Sequence, residues 1–220
     1  MMDLSIEGLE VRFRGLSQPA LQIPTLRLEP GERVAVTGPS GSGKTTLLNI
    51  MTGLERVRKG RVSWQDIDLT TLSESARDRW RARNVGLVMQ DFHLFAGLSA
   101  LDNVLLPQRL SHFRLQQSAL GEARRLLARV GIERIDQSVE TMSRGQMQRV
   151  AVARALAAKP GLLIADEPTA SLDADAGSDV ADLLLELTRE IGSTLIVASH
   201  DIRLTRKLDR ALHLDGGRII

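Results

Sequence analysis

A glycine-rich segment near the N-terminus carries the residue types needed to hold a chain of phosphate groups. It reads Gly38-Pro39-Ser40-Gly41-Ser42-Gly43-Lys44-Thr45, followed by Thr46. The segment matches the pattern G-x-x-x-x-G-K-[ST] in full, and its glycines allow backbone N–H groups to turn toward one anion. We expect Lys44 to reach the β- and γ-phosphates of ATP, and the Thr45 hydroxyl to bind Mg²⁺.

Two adjacent carboxylates form the second candidate site. Asp166 and Glu167 directly follow the apolar run at residues 162–165. Ligands of parallel sheets bind beyond the carboxyl ends of the strands, so we expect Asp166 to meet Thr45 there. Asp166 suits Mg²⁺, directly or through water, and Glu167 is then free to orient or deprotonate an attacking water. A solvated acidic turn at the end of a strand would have the same sequence. The glycine-rich segment at residues 38–45, the phosphate loop, favours instead a role for these carboxylates in binding Mg²⁺ and activating water.

Alternating strand and helix patterns are expected to position these groups. Near-continuously apolar runs predict strands buried on both faces, as in a parallel sheet, at residues 33–37, 85–89, 162–165 and 194–198. Helical patterns follow or separate them at residues 45–52, 143–158 and 173–191. This alternation predicts an α/β fold with a mostly parallel sheet.

Other stretches depart from that alternation. Residues 4–28 and 61–69 show alternating polarity with turn residues, which predicts an N-terminal antiparallel β-subdomain. Residues 99–130 have helical character, and we place a helical subdomain at about residues 99–158, inserted in the core. The tail at residues 211–220 predicts a hairpin that turns at Asp215-Gly216-Gly217. We expect residues 1–220 to form one domain.

Composition excludes several classes of function. The 220 residues include no cysteine, which excludes disulfides, cysteine-based metal sites and thiol catalysis. The formal net charge of +2 gives no argument for nucleic acid, and we expect no nucleic-acid partner. There is no apolar run of about eighteen residues, and the N-terminus does not resemble a secretory signal. We therefore expect a cytoplasmic protein that is at most peripheral to the inner face of a membrane.

Several motifs in a fixed order resemble one family. Met142-Ser143-Arg144-Gly145-Gln146 is similar to the signature of the ATP-binding cassette (ABC) family, usually Leu-Ser-Gly-Gly-Gln. Gln90, the triplet Ser171-Leu172-Asp173 and His200 stand where the family has its Q-loop glutamine, D-loop and switch histidine. The resemblance covers nearly the whole chain. It implies a P-loop NTPase core that hydrolyses ATP with Mg²⁺.

The resemblance also implies roles for individual residues. Gln90 would contact the nucleotide and the Mg²⁺, and His200 would contact the γ-phosphate. Phe13 lies about where the family has an aromatic ring that stacks on adenine, and this role is favoured over the alternative of a core residue in the N-terminal β-sheet. Arg144 replaces a glycine of the signature and opposes the dipole of its helix. Its side chain would reach a partner's nucleotide or point to solvent.

The signature predicts a second anion-binding helix end. Ser143 and Gln146 form the pattern S-x-x-Q of a capping box at a helix start. In the family, two copies face each other head to tail, and each ATP lies between one chain's phosphate loop and the other's signature. The resemblance thus implies that Ser143, Gly145 and Gln146 complete the site of a second copy of this chain.

Looser resemblances indicate the branch and the partner. Residues 47–54, 88–95 and 101–104 are similar to ATPases of lipoprotein release and macrolide efflux, which implies export or extrusion through a separate membrane permease. We expect a few apolar residues after Gln90, with Phe92 and Phe95 favoured, to line a groove for a permease helix. Alternatives are a soluble, non-transport ABC ATPase and a P-loop kinase, for which the signature has no evident use.

Overall fold

The computed structural model describes residues 2–13, 15, 18–111 and 115–220. Its strands are β1 (Leu4–Val11), β2 (Leu21–Leu28), β3 (Arg33–Thr37), β4 (Lys59–Trp64), β5 (Ile67–Asp68), β6 (Val85–Val88), β7 (Leu162–Asp166), β8 (Thr194–Ala198), β9 (Arg210–Asp215) and β10 (Arg218–Ile219). Its α-helices are α1 (Lys44–Met51), α2 (Glu74–Asn84), α3 (Ala100–Ser111), α4 (Gln117–Arg129), α5 (Arg144–Leu156), α6 (Ala174–Ile191) and α7 (Ile202–Thr205). A short 3₁₀ helix spans Val139–Thr141.

A six-stranded sheet forms the centre of the molecule, in the order β10-β9-β3-β8-β7-β6. Strands β9, β3, β8, β7 and β6 run parallel, and β10 pairs antiparallel with β9 at the edge. The four predicted apolar runs form β3, β6, β7 and β8, whose inner residues are mostly buried on both faces. The predicted parallel core and the C-terminal hairpin are therefore confirmed.

A second, antiparallel sheet has the order β2-β1-β4-β5. Its strands β1 and β2 show the alternation of buried and exposed residues that the sequence predicted. Trp64 is fully buried at the end of β4, and its indole N–H donates to the Met51 carbonyl at 2.7 Å. This bond joins the antiparallel sheet to the end of α1, the helix that follows the phosphate loop.

The helical region predicted at residues 99–130 contains α3 and α4, and no β-strand lies within its described residues. Residues 112–114 of this region lie outside the described part of the chain. Helix α5 packs on α3 and α4 and also on β6 and α6. One apolar cluster accordingly runs from Val104 and Leu126 through Val150 to Leu163 of the sheet. The helical region thus shares its core with one face of the central sheet.

In the described part of the chain, no helix combines the length and apolar character needed to cross a lipid bilayer.

Close packing of β6 against α5 depends on Gly86. A Cβ atom at this position would lie 2.3 Å from the Ala155 carbonyl oxygen, so Gly86→Ala forces the strand and the helix apart. We expect the free energy of unfolding to fall by about 1–3 kcal/mol, measured by urea denaturation. Gly121→Ala is the control, because that site on α4 faces open space and alanine favours helix by about 0.5–1 kcal/mol. An unchanged urea midpoint for Gly86→Ala would contradict the packing.

Candidate nucleotide site

The carboxyl ends of four neighbouring parallel strands gather the predicted polar residues at one edge of the sheet. The phosphate loop follows β3, His200 comes two residues after β8, Glu167 follows β7, and Gln90 comes two residues after β6. Since β3, β8, β7 and β6 are adjacent in that order, these groups lie side by side. The sheet topology therefore brings together residues that are far apart in the sequence.

The phosphate loop is built to leave backbone donors free. Helix α1 begins at Lys44, its N-cap is Gly43 at φ 103°, and no side chain caps it. Helices α2, α5, α6 and α7, by contrast, each have a side chain accepting at the N-terminus. The first N–H groups of α1 and its positive end are thus available to an anion.

Side chains of the loop complete this arrangement. The Lys44 ammonium donates to the carbonyl oxygens of Gly38 and Pro39 at 2.7 and 3.1 Å, which places its charge against the start of the loop. The Ser42 hydroxyl is buried and has no hydrogen-bond partner in the described part of the chain. Pro39, Ser40, Gly41 and Thr45 are exposed. The loop therefore presents a free face that carries positive charge and unused donors.

Two glycines of the loop are fixed by close contacts. A Cβ atom on Gly38 would lie 2.1 Å from the Leu214 carbonyl oxygen on β9. On Gly43 it would lie 2.7 Å from Leu21 Cδ2 and 3.0 Å from the Ala20 carbonyl oxygen. Both residues also have positive φ, at 141° and 103°, which side chains disfavour. The loop is thus wedged between the central sheet and the start of β2.

Asp166 lies at the end of β7 within reach of the loop. Burial raises the pKa of its carboxyl group, and the negative charge of Glu167 raises it further. The charge of Lys44 and a hydrogen bond from Thr45 act in the opposite direction. A cation beside Asp166 and Thr45 would offset both unfavourable effects. One carboxylate and one hydroxyl are a donor set that fits Mg²⁺, which takes its other ligands from phosphates and water.

Glu167 has a strained backbone and a carboxylate held in place. Its φ is 47°, a left-handed conformation that is uncommon outside glycine, and its N–H donates to the Ala198 carbonyl at 2.8 Å. Its Oε2 accepts from the Ser199 hydroxyl at 3.2 Å and from the His200 N–H at 3.4 Å. The His200 Nε2 lies 3.6 Å from Glu167 Oε1. Strand β8 and the loop after it thus orient the carboxylate.

The signature forms the N-terminus of α5, as predicted. The Ser143 hydroxyl accepts from the Gln146 N–H at 3.2 Å, and the Gln146 side chain accepts from the Ser143 N–H at 3.0 Å. The capping box is therefore confirmed. Ser143 and Gln146 are exposed and Gly145 is half-buried beside Ala176. Among the described residues, no hydrogen bond or ion pair connects these three with the phosphate loop of the same chain.

The contact of Arg144 with a partner's nucleotide stays a prediction. Arg144 is exposed in the single chain, as the other alternative had it. Its guanidinium lies over the ring of Phe92, 5.7 Å from the centroid, in the loop after Gln90. Phe92 is only 8% exposed, so the prediction that it lines an open groove is wrong. Phe95 is 56% exposed and remains available. The tight turn at Phe92 points its ring back onto α5, and a linear pattern of apolar residues does not reveal that reversal.

Phe13 lies two residues beyond the end of β1. Val11 at the end of β1 accepts from the Ala20 N–H at 2.8 Å, and Ala20 borders Gly43. The Phe13 ring is 41% exposed and lines an open cleft together with Arg12, Arg56 and Arg58. This exposure is incompatible with the core alternative and leaves the ring accessible to a ligand.

Three residues that hold the loops of the site in place by hydrogen bonds were not predicted from the sequence. Ser199 donates to Glu167, and Gln148 on α5 donates to the Pro168 carbonyl at 2.7 Å. Arg154, also on α5, donates to the carbonyl oxygens of Phe92 and His93. Gln148 and Arg154 could have been identified as polar residues on a helix face of α5 that is otherwise buried, because a buried polar group requires a hydrogen-bond partner.

The raised pKa of Asp166 makes the stability of the protein depend on pH. An acid whose pKa is higher in the folded than in the unfolded state opposes folding when ionised, and this effect disappears as pH falls through the raised pKa. We expect Asp166→Asn to raise the melting temperature at pH 7 without nucleotide or Mg²⁺. The gain should shrink as pH approaches the ordinary value of 3.8.

The matched control is Asp136→Asn, because Asp136 is exposed and forms no ion pair with described residues. A melting temperature for Asp166→Asn at or below that of the parent at pH 7 would contradict the unfavourable environment of Asp166.

Comparisons with known proteins agree with this geometry. A family model described as ABC transporter matches residues 21–170. The lipoprotein-releasing system ATP-binding protein LolD of Pseudomonas fluorescens is 43% identical over 196 residues, which cover 89% of this chain and 86% of that protein. The uncharacterized ABC transporter ATP-binding protein YbbA of Escherichia coli is 44% identical over 195 residues, 88% of this chain and 85% of YbbA.

A solved structure shows the same fold. It is the dimeric, post-hydrolysis state of the ATP-binding cassette MJ0796 bound to ADP and Pi, with a TM-score of 0.87 and 32% identity over 98% of this chain and 96% of that one. The chain described above belongs to the ABC transporter family, as one of its ATP-binding, ATP-hydrolysing subunits.

Proposed function

We propose that this subunit binds ATP along the carboxyl edge of the parallel sheet and hydrolyses it there. The observation that carries the proposal is the juxtaposition of the uncapped helix start at Lys44 with Asp166 and Glu167 on a nearby strand. Residues 38–46 would receive the phosphates through their backbone N–H groups, except Pro39, which has none, and Ser42, whose N–H donates to the Pro39 carbonyl. Lys44 would supply charge to the β- and γ-phosphates. Phe13 would stack on the adenine, and Gln90 would contact the nucleotide from the end of β6.

Glu167 is proposed to orient or deprotonate the attacking water. Its carboxylate is held by Ser199 and the His200 backbone, and the His200 ring is on the same side, near Oε1. His200 would contact the γ-phosphate, where charge develops during transfer. The left-handed backbone at Glu167 fixes the direction in which its side chain leaves the strand.

Thr45, Asp166 and Gln90 are the residues proposed to hold Mg²⁺. The Thr45 hydroxyl already hydrogen-bonds to Asp166, so both oxygens are close together before any metal binds. When bound, Mg²⁺ would neutralise charge on the phosphates and so favour transfer of the γ-phosphoryl group. The proposal assigns Asp166 to the metal and leaves Glu167 for the water.

A second copy of this chain is proposed to complete each site. The exposed residues Ser143 and Gln146 and the half-buried Gly145 form another helix start, in which the capping box occupies the N–H groups of Ser143 and Gln146. These residues make no bond to their own phosphate loop in the described structure. A two-fold, head-to-tail dimer would place them on the partner's ATP. The solved structure of MJ0796 is a dimer bound to ADP and Pi, which supports this arrangement.

The membrane partner is proposed to be a separate permease that this subunit drives from the cytoplasmic face. The relative LolD is the ATP-binding protein of a lipoprotein-releasing system, which supports export or extrusion. Residues 1–220 would act as one domain in which the helical segment 99–158 contacts the permease. No finding favours a soluble, non-transport ABC ATPase.

Glu167→Gln tests the proposed hydrolysis and dimerisation together. The substitution removes the base but keeps the shape, so we expect ATP binding to persist while turnover falls by about 100-fold or more. ATP should shift this variant from monomer to dimer in analytical ultracentrifugation, and ADP should reverse the shift.

Lys44→Ala is the comparison variant, expected to lose ATP binding and therefore also the dimer. Hydrolysis by Glu167→Gln at the parent's rate would show that another group activates the water.

Phe95 provides a test of the permease contact. Its loop is held by buried Asn103, whose side chain bonds to both the N–H and the carbonyl of Phe95, so the exposed ring can be changed without unfolding the loop. Phe95→Ser should leave the ATPase rate of the isolated subunit unchanged and reduce copurification with the permease. Ile67→Ser, at an exposed apolar residue of β5, should change neither quantity. Undiminished copurification of Phe95→Ser would place the contact elsewhere.

A further inference from the structure

Gln148 connects the signature helix to the backbone next to Glu167. It lies on α5, five positions after Ser143, and is 1% exposed. Its Nε2 donates to the Pro168 carbonyl oxygen at 2.7 Å, a buried hydrogen bond. Pro168 directly follows Glu167. A single side chain therefore spans from the helix that begins at Ser143 to the peptide group after the proposed base.

The other amide atom of Gln148 makes this contact unusual. Its Oε1 is buried and has no hydrogen-bond partner among the described residues. Exchanging the two amide atoms would bring two carbonyl oxygens together, so the donor to Pro168 must be the nitrogen. An unpaired buried acceptor is costly, but an apolar side chain would leave the Pro168 carbonyl unpaired in its place. What glutamine adds at this position is a directed bond to the backbone that follows Glu167.

The backbone that Gln148 holds is strained. Glu167 has φ 47°, and residues in such conformations persist only where their surroundings hold them. On one side, the Glu167 N–H is bonded to Ala198 of β8. On the other side, the Pro168 carbonyl is bonded to Gln148 of α5. The strained residue is thus fixed between a strand and a helix.

We infer that Gln148 is a positioning residue for hydrolysis, which holds the backbone at Glu167 in register with the signature helix. This inference rests on the proposed role of Glu167. The distance along α5 from Ser143 to Gln148 is about 7.5 Å at 1.5 Å per residue, so both residues move with one rigid helix. A displacement of α5 when Ser143 engages a partner's nucleotide is therefore transmitted to the Pro168 carbonyl and to Glu167.

Gln148→Met tests the inference, because methionine keeps the chain length and removes the donor. The variant also removes the unpaired Oε1, which offsets the lost bond, and we expect a melting temperature within about 4 °C of the parent. We expect kcat for ATP to fall by about tenfold or more. KM should stay within about twofold, since the phosphate loop is untouched.

Ser193→Ala is the matched control. The Ser193 hydroxyl is buried and donates to the Pro160 carbonyl, at the far end of the same strands. This variant should have the kcat of the parent even if its melting temperature falls. Comparing kcat of the two variants separates the general effect of losing a buried hydrogen bond to a proline carbonyl from the specific effect of losing the bond beside Glu167.

A second measurement distinguishes positioning from assembly. The double variant Gln148→Met with Glu167→Gln should still form the ATP-dependent dimer. Loss of that dimer, or a parental kcat in folded Gln148→Met, overturns the inference. If Gln148→Met does not fold, Gln148→Leu replaces it, and failure of both to fold overturns the inference as well. Two other outcomes would instead refute the proposed function. They are absence of ATPase activity in the parent and absence of the ATP-dependent dimer in Glu167→Gln.

Discussion

Parallel pairing of β8 with β3 on one side and β7 on the other is the constraint on which the site depends. Val36 and Asp166 both pair with Ala198, so the three strands end at the same level. Alternate residues of β7 and β8 pack into two different apolar clusters, one on each face of the sheet, and a shift of one residue would move their side chains into the wrong cluster. Core packing therefore sets the phosphate loop, the two carboxylates and His200 at the same level along the strands.

The nucleotide site is an unfavourable arrangement of groups that the rest of the fold holds in place. The positive end of α1 has no capping side chain, the Ser42 hydroxyl has no partner in the described structure, and Asp166 is partly buried beside another carboxylate. Each of these features becomes favourable only when phosphate and a cation are present. Local rules of stability are broken where a ligand is expected to satisfy them.

Motifs confined to a few consecutive residues could be predicted from the sequence, and so could the strands that precede them. The phosphate loop, the Asp166-Glu167 pair and the capping box at Ser143 have local physical causes, which a linear pattern records. The burial of Phe92, the course of Arg144 and the role of Gln148 depend instead on how α5 packs against loops far away in the sequence. Helical spacing places Gln148 within a buried face, but only the fold shows that Pro168 lies opposite.

The loop after Gln90 illustrates how one side chain restricts substitution elsewhere. Phe92 and His93 both have left-handed backbones, at φ 57° and 46°, and their carbonyl oxygens converge on the Arg154 guanidinium. Burial lowers the pKa of Arg154, and carbonyl dipoles, rather than a carboxylate, compensate its charge. Lysine would offer a point charge instead of a planar fork and could not reproduce both contacts in the same geometry. The shape of this loop's backbone, rather than a need for positive charge, therefore requires arginine at position 154.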